Sequence, residues 1–417
     1  MTMTRRAFTG LAGQSLLLPF TSSLGAATTP SAPLFRIRTI TAGITLRSAR
    51  DHEAIEKAAH FLGSARARYE AEGHEVQTVR IATQPLTRFL PDWDSDRAFD
   101  LLRSLDRLAK ELGFILALGP VIEDDQSAQH LAPFGARLVT ETSRLNFSAT
   151  VASAKGGIHR KTILAAAETV AALAAVGEKG QENFRFAAAA QVPPGSPFFP
   201  GAWHEGPANF ALGLESANLL TAVFRSAATP EAARISLIEA LDTSFAGLAD
   251  TATSLAAEHG RAYLGIDTSP APGLDASIGS AIERLSGVPF GAPSTLAACA
   301  VITDALKGVK TRSCGLSGLM LPVLEDPVLA QRASEGRFDS ARLLLFSSVC
   351  ATGLDMVPLP GNIGTPKLAR IILDVAALAT KYRKPLLARL LPIPGKDAGD
   401  DVTFDNPLLA NSRVLYP

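Results

Sequence analysis

Cysteine is scarce in this 417-residue chain, where Cys299, Cys314 and Cys350 are the three present. Three scattered thiols exclude a disulfide scaffold, and no CxxC pair points to structural zinc. Net charge is also missing, because 40 basic residues meet 40 acidic ones. No bulk positive field therefore draws the protein onto nucleic acid or anionic lipid. HExxH, GxSxG, CxxC, the phosphate-loop pattern GxxxxGK(S/T) and a GxGxxG after a strand are all absent. Long hydrophobic runs are lacking too, since the apolar stretch Leu11–Phe20 falls far short of the roughly 20 residues that span a bilayer.

The first thirty residues nevertheless have an order of their own. Arg5 and Arg6 precede Phe8, the apolar stretch follows, and small residues close it at Ser22, Ser23, Gly25, Ala26 and Ala27. That sequence of basic, apolar and small regions predicts a twin-arginine-type signal peptide over residues 1–27, cleaved after Ala26 or Ala27. It makes the export machinery a partner and the periplasm the expected location, with the cytoplasm as the alternative. The remaining residues, 28–417, are expected to form a single large domain.

Composition places that domain among globular proteins, with 47% hydrophobic, 19% charged and 6% aromatic residues. Apolar, β-branched runs at 35–46, 75–83, 114–119, 146–153, 184–190, 262–267, 319–326 and 385–393 read as strands. Ala-rich amphipathic stretches at 53–72, 96–112, 158–176, 230–259, 275–286, 294–307, 339–349 and 366–382 read as helices between them. This alternation predicts an α/β fold with a mainly parallel sheet covered by helices.

In such folds ligands gather where strand-end loops converge. Loops stiffened by Pro and Gly carry the candidate polar groups: His204 and Glu205 in SPFFPGAWHEG, Asp267 in GIDTSPAPGLD, Glu325 and Asp326 in LPVLED, Cys350 and Asp355 in SSVCATGLDMVPLPGN, and Asp397 in LPIPGKDAGDD. Cys350 is a candidate nucleophile or proton donor, His204 a general acid or base, and Asp355 a catalytic carboxylate. Asp267, Glu205, Glu325, Asp326 and Asp397 are candidate binding groups. Duller readings stand beside these. A free cysteine is often a small buried hydrophobe, and an acid before Pro327 often caps a helix.

Together with VQTVRIAT, GLMLPVLEDPVLAQR and the rest of residues 36–415, these stretches resemble the pyruvate formate-lyase-like family of uncharacterised proteins, the domain-of-unknown-function family numbered 711. The resemblance implies a large α/β barrel built from two half-barrels of parallel strands, as in the glycyl radical enzyme core, with helices outside. Relatives of this kind are often encoded beside small ACT-type regulatory proteins, which implies an amino-acid-like ligand. Radical chemistry is not implied, because none of the four tyrosines follows a glycine and the radical-bearing loop is missing. The expectation is a non-radical enzyme acting on a small polar, amino-acid-like or carboxylate molecule in a barrel cavity, by acid–base or thiol chemistry. A divalent metal stays open as cofactor, a metal-dependent hydrolase or lyase and a periplasmic binding protein stay open as alternatives, and a homo-oligomer stays open as assembly.

Overall fold

The computed structural model describes residues 32–350 and 352–417. The signal-like segment 1–27 lies outside the described residues. Pro33–Pro417 forms one compact unit. Among the described residues no helix is long and apolar enough to cross a membrane.

The strands are β1 (Arg36–Ile44), β2 (Val76–Thr83), β3 (Ile115–Ile122), β4 (Leu145–Ser153), β5 (Gly157–Ile158), β6 (Phe186–Ala190), β7 (Asn209–Glu215), β8 (Ala262–Ala271), β9 (Gly353–Pro360) and β10 (Leu386–Ile393). They make a ten-stranded sheet in the order β8-β7-β1-β2-β3-β4-β6-β10-β9, with the short β5 on β4. Strands β1, β2, β3, β4 and β6 run parallel to their neighbours in that row. The parallel pairs β7–β8 and β9–β10 flank this set, and each joins it antiparallel. Two oppositely directed parallel sets therefore share one sheet.

Helices cover the sheet, and the long one shows why. Thr229 caps its start by accepting from the Ala232 N–H, Pro230 occupies the first position, and Gly260 ends it at φ 61°. Its buried residues Ala233, Leu237, Leu241, Phe245, Leu248, Ala252 and Leu255 recur every three or four positions, one apolar stripe facing the core.

The expected closed barrel is not formed by a ladder. Among the described residues no pairing joins β8 to β9; instead the segment between them in space, Arg312–Val323, forms one isolated bridge with each edge. Cys314 N–H donates to the Ile266 carbonyl at 3.1 Å on β8, and Val323 N–H donates to the Asp355 carbonyl at 3.1 Å on β9. The run 319–326, expected as a strand, makes a single bridge, Pro322 to Asp355. Left-handed backbone at Gly315 (φ 66°) and Ser317 (φ 41°) turns the segment and interrupts any ladder.

One predicted binding carboxylate, Asp267, holds this segment in place, and a second, Asp326, anchors the helix that follows it. Asp267 accepts from the Leu316 N–H at 2.7 Å and the Ser317 N–H at 2.9 Å, and Ser269 Oγ supports it at 2.6 Å. A Cβ on Gly315 would stand 2.2 Å from Asp267 Oδ2, so the close approach requires glycine. Asp326 caps the helix Pro327–Ser334 through Val328 and Leu329 N–H groups, and also accepts from Ile278 N–H, Gly279 N–H and Ser277 Oγ. Both carboxyls are fully buried and saturated by backbone donors, a structural arrangement rather than a binding one.

Replacing Asp326 by Ala orphans several buried donors at once. The expected loss is about 3–5 kcal/mol of unfolding free energy in urea denaturation. A loss below about 1 kcal/mol would show that the carboxyl does not carry this junction.

Candidate functional site

A cavity of about 810 Å³ opens against the sheet, lined in part by Arg38, Thr78, Arg80, Arg144, Asn146, Glu325 and Asp355. Arg38, Thr78 and Asn146 sit near the amino-terminal ends of β1, β2 and β4, whereas Ala271 at the cavity edge ends β8. The expectation of carboxyl ends alone thus needs correction. Because the two parallel sets run in opposite directions, one mouth meets the amino ends of one set and the carboxyl ends of the other.

Charge along the wall alternates in sign. Asp275 and Glu215 flank Arg36, with Arg36 Nη2 2.6 Å from Asp275. Glu215 and Glu325 flank Arg38, each at 3.6 Å. Glu325 and Asp355 flank Arg389. Gln77 stitches the middle, its Nε2 donating to Glu215 at 3.0 Å while its Oε1 accepts from Arg38 at 3.0 Å. β-Strand geometry explains the spacing, since Arg36 and Arg38 are two apart and share one face. Arg36 is also the register partner of Glu215 on β7.

Asp355 ends this chain of charges in an unusual backbone setting. The β9–β10 register shifts between Ala388 and Leu390, and Met356 stands at φ 46°, a strained value for a bulky side chain. Asp355 Oδ1 lies 2.8 Å from Arg389 Nε, yet the angle is too poor for a hydrogen bond, so both buried atoms keep unused capacity. Burial pushes the Asp355 pKa up to about 6, with Glu325 adding repulsion and Arg389 opposing.

Two cavity arginines stand outside that pairing. Arg80 donates Nε–H to Thr78 Oγ1 at 3.1 Å and lies 5.0 Å from the centroid of the Phe199 ring, with no carboxylate in ion-pair range among the described residues. Burial, reinforced by Arg38 and Arg389, pushes its pKa down to about 9 while Glu325 opposes. Arginine stays protonated at neutral pH, so the shift expresses an undercompensated cation. The Arg144 side chain lines the same cavity and makes no ion pair or hydrogen bond among the described residues. Arg185, in contrast, is consumed by the carbonyls of Val139, Thr142 and Leu145.

Of the eight predicted site residues, the structure brings Asp355 and Glu325 together on this cavity. His204 is buried elsewhere, its Nε2 2.9 Å from the Gly206 carbonyl and its ring against Gly43. Burial lowers its pKa. Cys350 packs in the main hydrophobic cluster, 1% exposed, with its carbonyl accepting from Lys384 Nζ. Glu205 is exposed and paired with Arg88 at 3.3 Å. Asp397 is exposed and accepts from Asn362 Nδ2 at 2.9 Å. Asp267 and Asp326 are the backbone anchors described above. Arg38, Arg80, Arg144, Arg389 and Glu215 escaped the sequence reading. For Arg80 and Arg389 the signal was a lone arginine inside an apolar strand, VQTVRIAT and LLARLLPI.

A family profile described as uncharacterised ACR, DUF711, matches residues 31–405. The chain belongs to the DUF711 family. A UPF0210 protein of Pyrobaculum arsenaticum is 33% identical over 79% of this chain and 76% of its own length. Another UPF0210 protein, of Thermoanaerobacter sp. strain X514, is 28% identical over 91% of this chain and 90% of its own. These names state no reaction, so DUF711 membership leaves the chemistry to the cavity.

The Asp355 setting predicts a particular pH slope. A carboxyl with a raised folded-state pKa contributes stability that is present below its unfolded value near 4 and lost as pH rises through about 6. The stability of Asp355→Asn should therefore gain on that of the parent by roughly 2–3 kcal/mol between pH 4 and pH 7. Parallel stability curves in denaturant titrations would contradict the assigned environment.

Proposed function

We propose that the protein is a non-radical enzyme acting on a small carboxylate-bearing molecule bound in this cavity. The observation that carries the reading is Arg80, a half-buried guanidinium with no carboxylate partner among the described residues. A buried cation is costly unless an anion compensates it, and a planar guanidinium matches a carboxylate in two parallel hydrogen bonds. The Phe199 ring beneath it holds the plane in position. Amino acids and organic acids share this feature, in keeping with an amino-acid-like ligand.

Asp355 is the acid–base group in this proposal. A pKa of about 6 places it near neutral operating pH, where it can both take and return a proton. Arg389 and Glu325 fix its orientation. The ion-paired state of Glu325 and Asp355 favours proton transfer over metal ligation. Among the described residues no group of three or more His, Cys, Asp and Glu converges as a metal site. The two oppositely directed strand sets support a likeness to the half-barrels of the glycyl radical core as a proposal about fold. Export through the residue 1–27 signal remains part of the proposal. Cell fractionation of the parent and of an Arg5→Lys, Arg6→Lys variant tests it, with periplasmic protein lost in the variant.

Calorimetric titration with butyrate, a plain monocarboxylate, tests the central step. Binding to the parent should weaken tenfold or more in Arg80→Gln, about 1.4 kcal/mol at least. In Asp355→Asn binding should persist while conversion of any bound carboxylate, followed by NMR, disappears. Butyrate affinity indifferent to Arg80 would overturn the assignment.

A further inference from the structure

The sheet register sets Arg80 and Arg144 in a single row. Arg80 is the partner of Ile115 on β3, and Leu116 is the partner of Leu145 on β4, which puts Ile115 beside Arg144. The Leu116 N–H donating to the Arg144 carbonyl at 2.9 Å fixes that alignment. Arg80, Ile115 and Arg144 all line the cavity. Neighbouring strands are about 4.8 Å apart, so the two arginine backbones stand about 10 Å from each other with one aliphatic side chain between them.

Neither cation is satisfied by the protein among the described residues. The other arginines of the wall are occupied: Arg36 by Glu75, Asp275 and Glu215, Arg38 by Glu215 and Glu325, Arg389 by Glu325 and Asp355. Every acid of that chain of charges already faces one of these three arginines, and none is in ion-pair range of Arg80 or Arg144 among the described residues. One monocarboxylate at Arg80 would leave Arg144 unmatched, because Ile115 stands between the two arginines in the register.

We infer that the cavity selects a short aliphatic diacid, one carboxylate held by Arg80, the other by Arg144, and the methylene stretch laid across Ile115. This rests on the carboxylate reading above and narrows it to a substrate class. Each end gains charge-assisted hydrogen bonds, and the spacer meets an apolar surface instead of a polar one. A monocarboxylate held at Arg80, which the Phe199 ring backs, leaves Arg144 without an anion.

The test is titration of the full chain with butyrate, succinate, glutarate and adipate by calorimetry. At least one of the diacids should bind tenfold or more tighter than butyrate. Arg144→Gln should reduce that diacid to the butyrate level while leaving butyrate itself unchanged, and Arg80→Gln should weaken both. Arg144 is partly exposed and its side chain makes no ion pair or hydrogen bond among the described residues, so the variant reports on binding. Diacids no tighter than butyrate, or a diacid preference that survives Arg144→Gln, would overturn the inference. If butyrate still binds through Arg80 in that case, the carboxylate reading stands and the diacid one alone falls. If neither class of acid binds, or binding ignores Arg80, both fall.

Discussion

Opposite charges arranged in strict alternation along one wall are the constraint on which the interior depends. Each ionised group taken out of water costs several kcal/mol unless a partner and hydrogen bonds replace its hydration. From Asp275 to Asp355 every internal member of the row has an opposite charge on both sides. Losing one internal member takes a partner from each of its two neighbours. The row therefore holds β1, β7, β9 and β10 in a fixed relation, and it does so from strands that lie far apart in sequence. Arg80 and Arg144 are left facing the space in front of the row, which gives the cavity its sign.

The backbone that allows this arrangement is held from the other side. Opposed parallel sets bring amino ends and carboxyl ends to one mouth, so arginines early in β1 can meet a glutamate at the end of β7. The turning segment Arg312–Val323 spans the two sheet edges with single bridges, and Asp267 keeps it there through backbone N–H groups. A flexible ladder-free closure without that carboxyl would leave its buried amides unsatisfied. The strained Met356 and the shifted register beside it then place Asp355 against Arg389. Stability and site geometry share the same short stretch of chain.

Much of the scaffold was legible because its signals are local. Thr229, Pro230 and Gly260 bound the long helix where the apolar stripe predicts it, and the strand at 35–46 is β-branched and alternating. Strand β9 was hidden by Gly353, Pro358 and Pro360, which argue against a central strand; it lies at the end of the paired row, where proline is tolerated. The site was half legible. Asp355 and Glu325 could be picked out as acids in stiff loops, but so could Asp267 and Asp326, and only burial with backbone donors separates the two kinds. The arginines were not legible as a site, because register across three strands is a tertiary property that no local spacing encodes. Cys350 and His204 attracted attention as reactive types, yet their surroundings are apolar packing and a backbone carbonyl.

The central claim is that Arg80 and Arg144 offer uncompensated positive charge to the cavity. A crystal of the protein soaked in bromide, measured at the bromine absorption edge, tests it most directly. The account predicts anomalous density inside the cavity beside both guanidiniums, with the row from Asp275 to Asp355 intact behind them. Bromide confined to the outer surface, or an Arg80 turned away to pair with a carboxylate of the protein, would contradict it.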